Sequence, residues 1–294
     1  MEFNKIITAD SLEHLKTLDE NVFDSCVTDP PYHLQSIVKR FTKGPAAKHG
    51  KDGSFTRLSK GFMGQEWDGG DIAFQKELWE QVYRTIKPGA VLLAFSATRN
   101  YHKMATAIED GGFEIFDMIN WIYGSGFPKR KNLLKPAHEP IVMARKGVNK
   151  ELNLDECRVN GDNPKKWTKP KGGFWKTDSN TKAEYVENTK GRWPANIIHD
   201  GLDEEWARYF YSAKASKKEK DGSDHPTVKP LELMKYLVRL VTPKDGLVLD
   251  LFAGTGTTGE AAILENRKYY LIEKTKKYIP VINKRLNKYN SLFI

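Results

Sequence analysis

The chain has 294 residues, 39% of them apolar, enough to bury one large core or two modest ones, which excludes a small disulfide scaffold and a disordered tail. Its mean hydropathy is −0.60, and no apolar run comes near the roughly 18 residues of a membrane span, so no membrane partner is expected. Lys and Arg number 47 against 38 Asp and Glu, a net charge of +9, which favours a polyanionic partner such as nucleic acid.

The start, Met1-Glu2-Phe3-Asn4-Lys5, has neither a basic leader with an apolar stretch nor an Arg- and Ser-rich amphipathic pattern, and a cytoplasmic location is expected. The two cysteines, Cys26 and Cys157, are far apart and lack Cys-x-x-Cys or clustered His. No metal site and no disulfide framework are expected.

In chain order, apolar patterning predicts strand Lys5–Thr8, helix Ser11–Leu18 and strand Val22–Thr28. Asp29-Pro30-Pro31-Tyr32 follows directly. From Ser36 to Lys60 come seven Lys or Arg and one acid, broken by Gly and Pro, which reads as a long mobile loop. Next are helix Phe74–Ile86, strand Ala90–Ser96, helix Tyr101–Asp110, and strands Phe113–Ile122 and Pro140–Ala144. Gly89 and the pair Gly111-Gly112 are read as helix stops. Arg145 to Arg192 holds twelve basic and seven acidic residues with Trp167, Phe174 and Trp175 among them, a mixture suited to phosphate contact and base stacking or to a small satellite core. Helix Leu231–Val241, strand Leu247–Leu251, helix Thr257–Leu264, strand Tyr269–Ile272 and helix Lys274–Leu286 complete the pattern. Short, unalternating apolar strands between helices predict a mostly parallel sheet covered on both faces.

Two loops carry the chemistry. Asp250-Leu251-Phe252-Ala253-Gly254-Thr255-Gly256-Thr257-Thr258-Gly259 joins a strand to a helix through a glycine-rich turn, presenting backbone N–H groups to a ligand. Glu273 stands 19 residues past Gly254, at the end of the next strand, where a carboxylate can accept from a ribose diol. This fits a dinucleotide or any adenosine-containing ligand. Only 21 residues follow Glu273, too few to complete a doubly wound sheet, so the other strands must come from the N-terminal half and the order is permuted.

At Asp29-Pro30-Pro31-Tyr32, an acid at a strand's carboxyl end is followed by two prolines, which fix the backbone and withhold donors while their carbonyls stay free to accept. The Asp29 carboxylate and the Pro30 carbonyl can take both hydrogens of an exocyclic amino group, and the Tyr32 ring can stack on the heterocycle that bears it.

These motifs resemble those of the amino-group DNA methyltransferases, which use S-adenosylmethionine to methylate adenine N6 or cytosine N4. Asp29-Pro30-Pro31-Tyr32 is similar to their catalytic motif, Phe252-Ala253-Gly254-Thr255-Gly256 to their cofactor loop, and His225-Pro226-Thr227-Val228-Lys229-Pro230 to the segment before it. Catalytic motif first and cofactor loop last is the order of the family's beta group. Gly124-Ser125-Gly126-Phe127-Pro128-Lys129, Gly191-Arg192-Trp193-Pro194-Ala195-Asn196 and Ala213-Lys214-Ala215-Ser216-Lys217-Lys218 resemble phage and prophage members.

The resemblance implies a Rossmann-like α/β methyltransferase fold with an inserted recognition region. Residues 1–145 and 225–294 would form the catalytic domain, 36–70 a mobile DNA-contacting loop, and 146–224 the target-recognition insertion. It assigns Asp29, Pro30, Pro31 and Tyr32 to catalysis. It assigns Asp10, Thr227, Lys229, Asp250, Phe252, Ala253, Gly254, Thr255, Gly256, Thr257, Thr258 and Glu273 to the cofactor, with Asp10 equally readable as a helix N-cap. Lys39, Arg40, Lys43, Lys48, Lys165, Lys166, Lys169 and Lys171 are the expected DNA contacts.

The substrate is then double-stranded DNA with the target base flipped out, in a bacterial or phage-encoded enzyme. Asp at the first motif position favours adenine N6. Cytosine N4, an inactive nucleic-acid-binding protein, a nicotinamide-dependent oxidoreductase and an RNA substrate are the alternatives. A homodimer is left open and no restriction partner is evident.

Overall fold

The computed structural model describes residues 2–32, 71–123, 134, 136–147, 151–159, 166–167, 185–186, 191–201, 211–212 and 228–292. Among them are eleven strands: β1 (Lys5–Ile7), β2 (Phe23–Thr28), β3 (Ile86–Phe95), β4 (Glu114–Ile122), β5 (His138–Arg145), β6 (Lys166–Trp167), β7 (Tyr185–Val186), β8 (Ile197–His199), β9 (Tyr211–Ser212), β10 (Leu247–Asp250) and β11 (Lys268–Ile272). The α-helices, in chain order, are α1 (Ser11–Leu15), α2 (Lys76–Thr85), α3 (Tyr101–Asp110), α4 (Leu231–Val241), α5 (Thr257–Leu264) and α6 (Ile279–Leu286).

Nine strands form one sheet in the order β1-β11-β10-β2-β3-β5-β4-β8-β9, and β6 pairs with β7 separately. All neighbours in the large sheet are parallel except at β5, which runs against both β3 and β4. Alternate strand residues feed two cores. Val27 and Leu93 pack with Leu237 of α4, Ala261 of α5 and Ile282 of α6. Cys26 and Leu92 pack on the other face with Leu15 of α1, Leu78 of α2 and Met104 of α3. Helices on both faces are what unalternating apolar strands require.

The permutation inferred from the short C-terminal remainder is present, because β10 and β11 lie between β1 and β2. From β10 the chain passes through α5 to β11 on one side, and from β2 through α2 to β3 on the other. The crevice beyond the carboxyl ends of β10 and β2 is therefore a topological switch point, where open α/β sheets bind ligands.

Several boundaries differ from expectation. Gly89 is no helix stop: α2 ends at Thr85 and Gly89 sits inside β3 at φ +78°. Its N–H donates to Lys146 O at 2.7 Å, and pairing slips between Phe23 and Ser25, as Pro88 without a donor and a positive-φ glycine dictate. Gly111-Gly112 does end α3, with Gly112 at φ +102° and bonds from Gly112 N to Glu109 O and from Phe113 N to Ile108 O. The last helix starts at Ile279 rather than Lys274, since Pro280 is tolerated only in a first turn. Within the expected insertion, β8 and β9 extend the main sheet through β4, and Asn153 donates to Arg239 O and Thr242 O at the end of α4.

Candidate active site

The carboxyl ends of β2 and β10 are tied together by side chains. Thr28 Oγ1 donates to Asp250 Oδ1 at 2.9 Å and accepts from Leu251 N at 3.3 Å. Thr258 Oγ1, in the first turn of α5, donates to Asp250 Oδ2 at 2.5 Å, and Phe252 N donates to Asp250 Oδ1 at 3.1 Å. Burial pushes the Asp250 carboxyl up to about 6 despite these donors. Asp250 is thus the peg on which the two loops hang.

Asp29 follows Thr28, and Pro30 and Pro31 are buried behind it. Asp29 Oδ2 lies 3.0 Å from Lys229 Nζ, while Asp29 Oδ1 is buried with no hydrogen-bond partner. A buried acceptor left unsatisfied is costly. Lys229 Nζ also meets Glu139 Oε2 at 2.8 Å and donates to Tyr32 Oη at 2.9 Å. The Tyr32 hydroxyl donates in turn to Glu139 Oε2 at 2.9 Å, and Asn100 Nδ2 donates to Tyr32 O at 2.6 Å. The rings of Tyr32, Phe95 and Trp121 surround the ammonium, with centroids 5.3, 4.7 and 5.9 Å away.

Burial works against the Lys229 charge, but Asp29 and Glu139 outweigh it and hold its pKa above the ordinary lysine value. Burial raises the Asp29 pKa, Lys229 opposing it and Glu139 adding to it. The Tyr32 phenol is pushed well up by burial and by both carboxylates.

The glycine turn lies beside this corner. Gly254 and Gly256 adopt φ +53° and +80°, in the left-handed region glycine enters freely. Gly254 N donates to Glu273 Oε2 at 2.8 Å and Thr275 N to Glu273 Oε1 at 2.6 Å, which fixes the carboxylate at the end of β11. Gly256, the N-cap of α5, has no side chain to cap it. The first-turn N–H groups of α5 therefore face the crevice without a partner from the cap, a donor set suited to an anionic ligand. Phe252 is half-buried. Ala253, Thr255, Thr257 and Thr258 are buried within the turn.

Asp10 caps α1, accepting from Leu12 N and Glu13 N, and its other oxygen meets Lys274 Nζ at 3.0 Å. Burial opposes its charge, yet Lys274 and the two N–H groups hold the carboxyl below its ordinary range.

The structure thus brings Asp29, Pro30, Pro31, Tyr32, Asp250, the turn 252–258 and Glu273 to one edge of the sheet. Lys229, assigned from sequence to the cofactor, has its ammonium at the Asp29 corner. Thr227, Lys39, Arg40, Lys43, Lys48, Lys165, Lys169 and Lys171 lie outside the described residues, and for Lys166 only the β6 backbone is described.

Glu139 and Asn100 were not anticipated. Glu139 reaches the site because β5 is antiparallel, so its amino end lies at the edge where its neighbours end. An acid placed just before the buried run Pro140–Ala144 was the available signal. Burial pushes the Cys26 thiol well up and the Cys157 thiol to about 12, so neither is a thiolate nucleophile at neutral pH.

A twofold-wound sheet with a glycine turn and an acid–diproline–tyrosine corner at its switch point defines a nucleotide-type transferase site. The comparisons agree: the model of the DNA methylase family (N6_N4_Mtase) matches residues 23–284. The chain belongs to that family and is a DNA methyltransferase.

It is similar to the type II methyltransferase M.HindIII of Haemophilus influenzae, with 27% identity over 96% of this chain and 94% of the relative. Type II methyltransferase M.HpaI of Haemophilus parainfluenzae is 27% identical over 96% of this chain and 74% of its own. Among solved structures, the M1.HpyAVI–SAM complex aligns with a TM-score of 0.55 at 20% identity, covering 96% of this chain and 98% of that one. The cytosine-N4-specific PvuII DNA methyltransferase aligns with a TM-score of 0.57 at 19% identity, covering 97% and 90%. These structures share the Rossmann-like fold.

Proposed function

We propose that this chain transfers a methyl group from S-adenosylmethionine to N6 of an adenine flipped out of double-stranded DNA, at a specific recognition sequence. The observation that carries this reading is Asp29 Oδ1, buried and unpartnered, on a corner that the Thr28–Asp250 bond ties to the strand carrying the glycine turn. It is an acceptor waiting for a donor.

The residues present fit the cofactor. The uncapped amino end of α5 would offer backbone N–H groups, and Glu273, held by Gly254 N and Thr275 N, would take the ribose hydroxyls. Phe252 and Asp10 would serve the cofactor's adenine, and Thr227 is assigned to its carboxylate from the sequence motif alone. Bound there, S-adenosylmethionine supplies a methyl group activated by a sulfonium.

The protein's part is to prepare the nucleophile. An exocyclic amine is weakly nucleophilic because its lone pair is delocalised into the ring. Asp29 Oδ1 and the Pro30 carbonyl accept its two N–H groups and bias it toward a pyramidal geometry. Nitrogen that gains a methyl group must release one proton, and Asp29 Oδ1 accepts it. Holding the amine in line is worth up to about 7–11 kcal/mol, which is why two buried prolines brace the corner.

Extruding the base costs a few kcal/mol, and stacking on Tyr32 returns about 1–3 kcal/mol. Phosphate contacts from Lys39, Arg40, Lys43 and Lys48, and from Lys165, Lys166, Lys169 and Lys171 in the 146–224 recognition region, supply the rest. Reversing the charges of the first four should weaken DNA binding and flatten its salt dependence; an unchanged slope removes them from the interface. A DNA substrate and the bacterial relatives support a cytoplasmic location for a bacterial or phage-encoded enzyme.

Adenine is preferred over cytosine because Asp occupies the first motif position. Nucleoside analysis by mass spectrometry of DNA incubated with protein and S-adenosylmethionine decides: N6-methyladenine is the expected product, N4-methylcytosine selects the second reading, and unmodified DNA refutes both.

A further inference from the structure

We propose, resting on the methyl-transfer reading above, that Glu139 and Lys229 are positioning residues, Glu139 anchoring the Lys229 ammonium and the Tyr32 hydroxyl so that one Asp29 oxygen is held and the other faces the substrate amine. The observation is a closed ring of three side chains, Lys229, Tyr32 and Glu139, to which Asp29 is joined through the Lys229 ammonium. Lys229 Nζ lies 3.0 Å from Asp29 Oδ2, 2.8 Å from Glu139 Oε2 and 2.9 Å from Tyr32 Oη, and Tyr32 Oη lies 2.9 Å from Glu139 Oε2.

Two carboxylates on one buried ammonium leave a net negative charge in a low-dielectric corner, which is expensive to maintain. If Lys229 served only to neutralise Asp29, Glu139 would be a liability. Its presence is explained by the two donors it receives. It holds the ammonium against Asp29 Oδ2, and it fixes the Tyr32 ring from its hydroxyl end while Asn100 fixes the Tyr32 carbonyl at 2.6 Å. The Lys229 side chain is only 8% exposed and Glu139 20%, so water competes little with these carboxylates for the ammonium. Asp29 Oδ1, with no partner of its own, is the vertex left for substrate.

The titratable groups facing Asp29 are the charged Lys229 from the segment before α4, Glu139 from β5 and Asp250 from β10, and the neutral Tyr32 phenol from its own loop; Tyr123, after β4, faces Glu139. The two positioning groups act on the Asp29 proton with opposite sign. Glu139 disfavours the ionised form and Lys229 favours it.

The experiment is the pH dependence of single-turnover methyl transfer by the full chain carrying Glu139→Gln or Lys229→Met, with Asp29→Ala as reference and circular dichroism confirming folding. Glu139→Gln keeps size and an acceptor but removes the charge. Its maximal rate should fall about tenfold or more with little change in DNA affinity, and its acidic limb should move to lower pH. Lys229→Met should also lose rate, with the limb moving to higher pH, each by about one unit or more. Limbs that stay with the parent, or that move together, overturn the proposal while leaving the methyl-transfer reading intact. An inactive parent or an active Asp29→Ala variant strikes that reading instead. If Glu139→Gln does not fold, the sign of the Lys229→Met shift decides.

Discussion

Thr28 and Asp250, 222 positions apart, are joined by one buried hydrogen bond of 2.9 Å that holds the acid–diproline corner against the glycine turn. Thr28→Val preserves the branched shape and removes the hydroxyl, so Asp250 loses a donor and Leu251 N an acceptor. Stability should fall by about 1–3 kcal/mol, read from denaturant unfolding, and cofactor affinity should fall with it. Unchanged stability and affinity would show that the strands' own pairing suffices to align the two loops.

Gly256 stands at φ +80°, and a Cβ there would meet Ile282 Cγ2 at 2.8 Å. Gly256→Ala should therefore cost at least about 2 kcal/mol, from left-handed backbone and from overpacking of α6. Thermal melting checks the cost, and weaker stabilisation by S-adenosylmethionine checks that the turn itself has moved.

The Asp250 carboxyl, raised by burial to about 6, lies above the ordinary aspartate value of about 3.9. Its pH dependence is the reverse of a salt-bridged carboxylate. Between about pH 4 and pH 6 the folded chain binds a proton that the unfolded chain releases. The stabilisation is fully present below about pH 4 and is lost as pH rises through about 6. Parent stability relative to Asp250→Asn should therefore increase as pH is lowered from 7 to 4. A constant difference between the two proteins would contradict the raised value.

The strands were legible where burial makes them continuous apolar runs: Phe23–Thr28, Leu247–Asp250 and Lys268–Ile272 all lie inside or within a residue of the expected spans. The permuted order followed from counting residues after Glu273. Direction of pairing was not legible, because local patterning is the same for a parallel and an antiparallel strand. That is why β5 was recognised as a strand while Glu139 at its head was passed over. For a similar reason the contacts of Lys229 with Asp29 and Glu139 were not legible: a long side chain can reach several partners, and only the packed structure shows which it meets. Gly89 misled because positive φ serves a bulge and a helix stop equally well.

The account's central claim is that Asp29 accepts the substrate amine at a site shared with the glycine turn. The most direct measurement is the single-turnover rate of labelled methyl transfer from S-adenosylmethionine to unmethylated DNA by the parent and by Asp29→Ala, with cofactor binding followed by calorimetry. The predicted result is a loss of about 10²–10⁴-fold or more in rate with cofactor affinity retained. An Asp29→Ala rate equal to the parent's would contradict the claim.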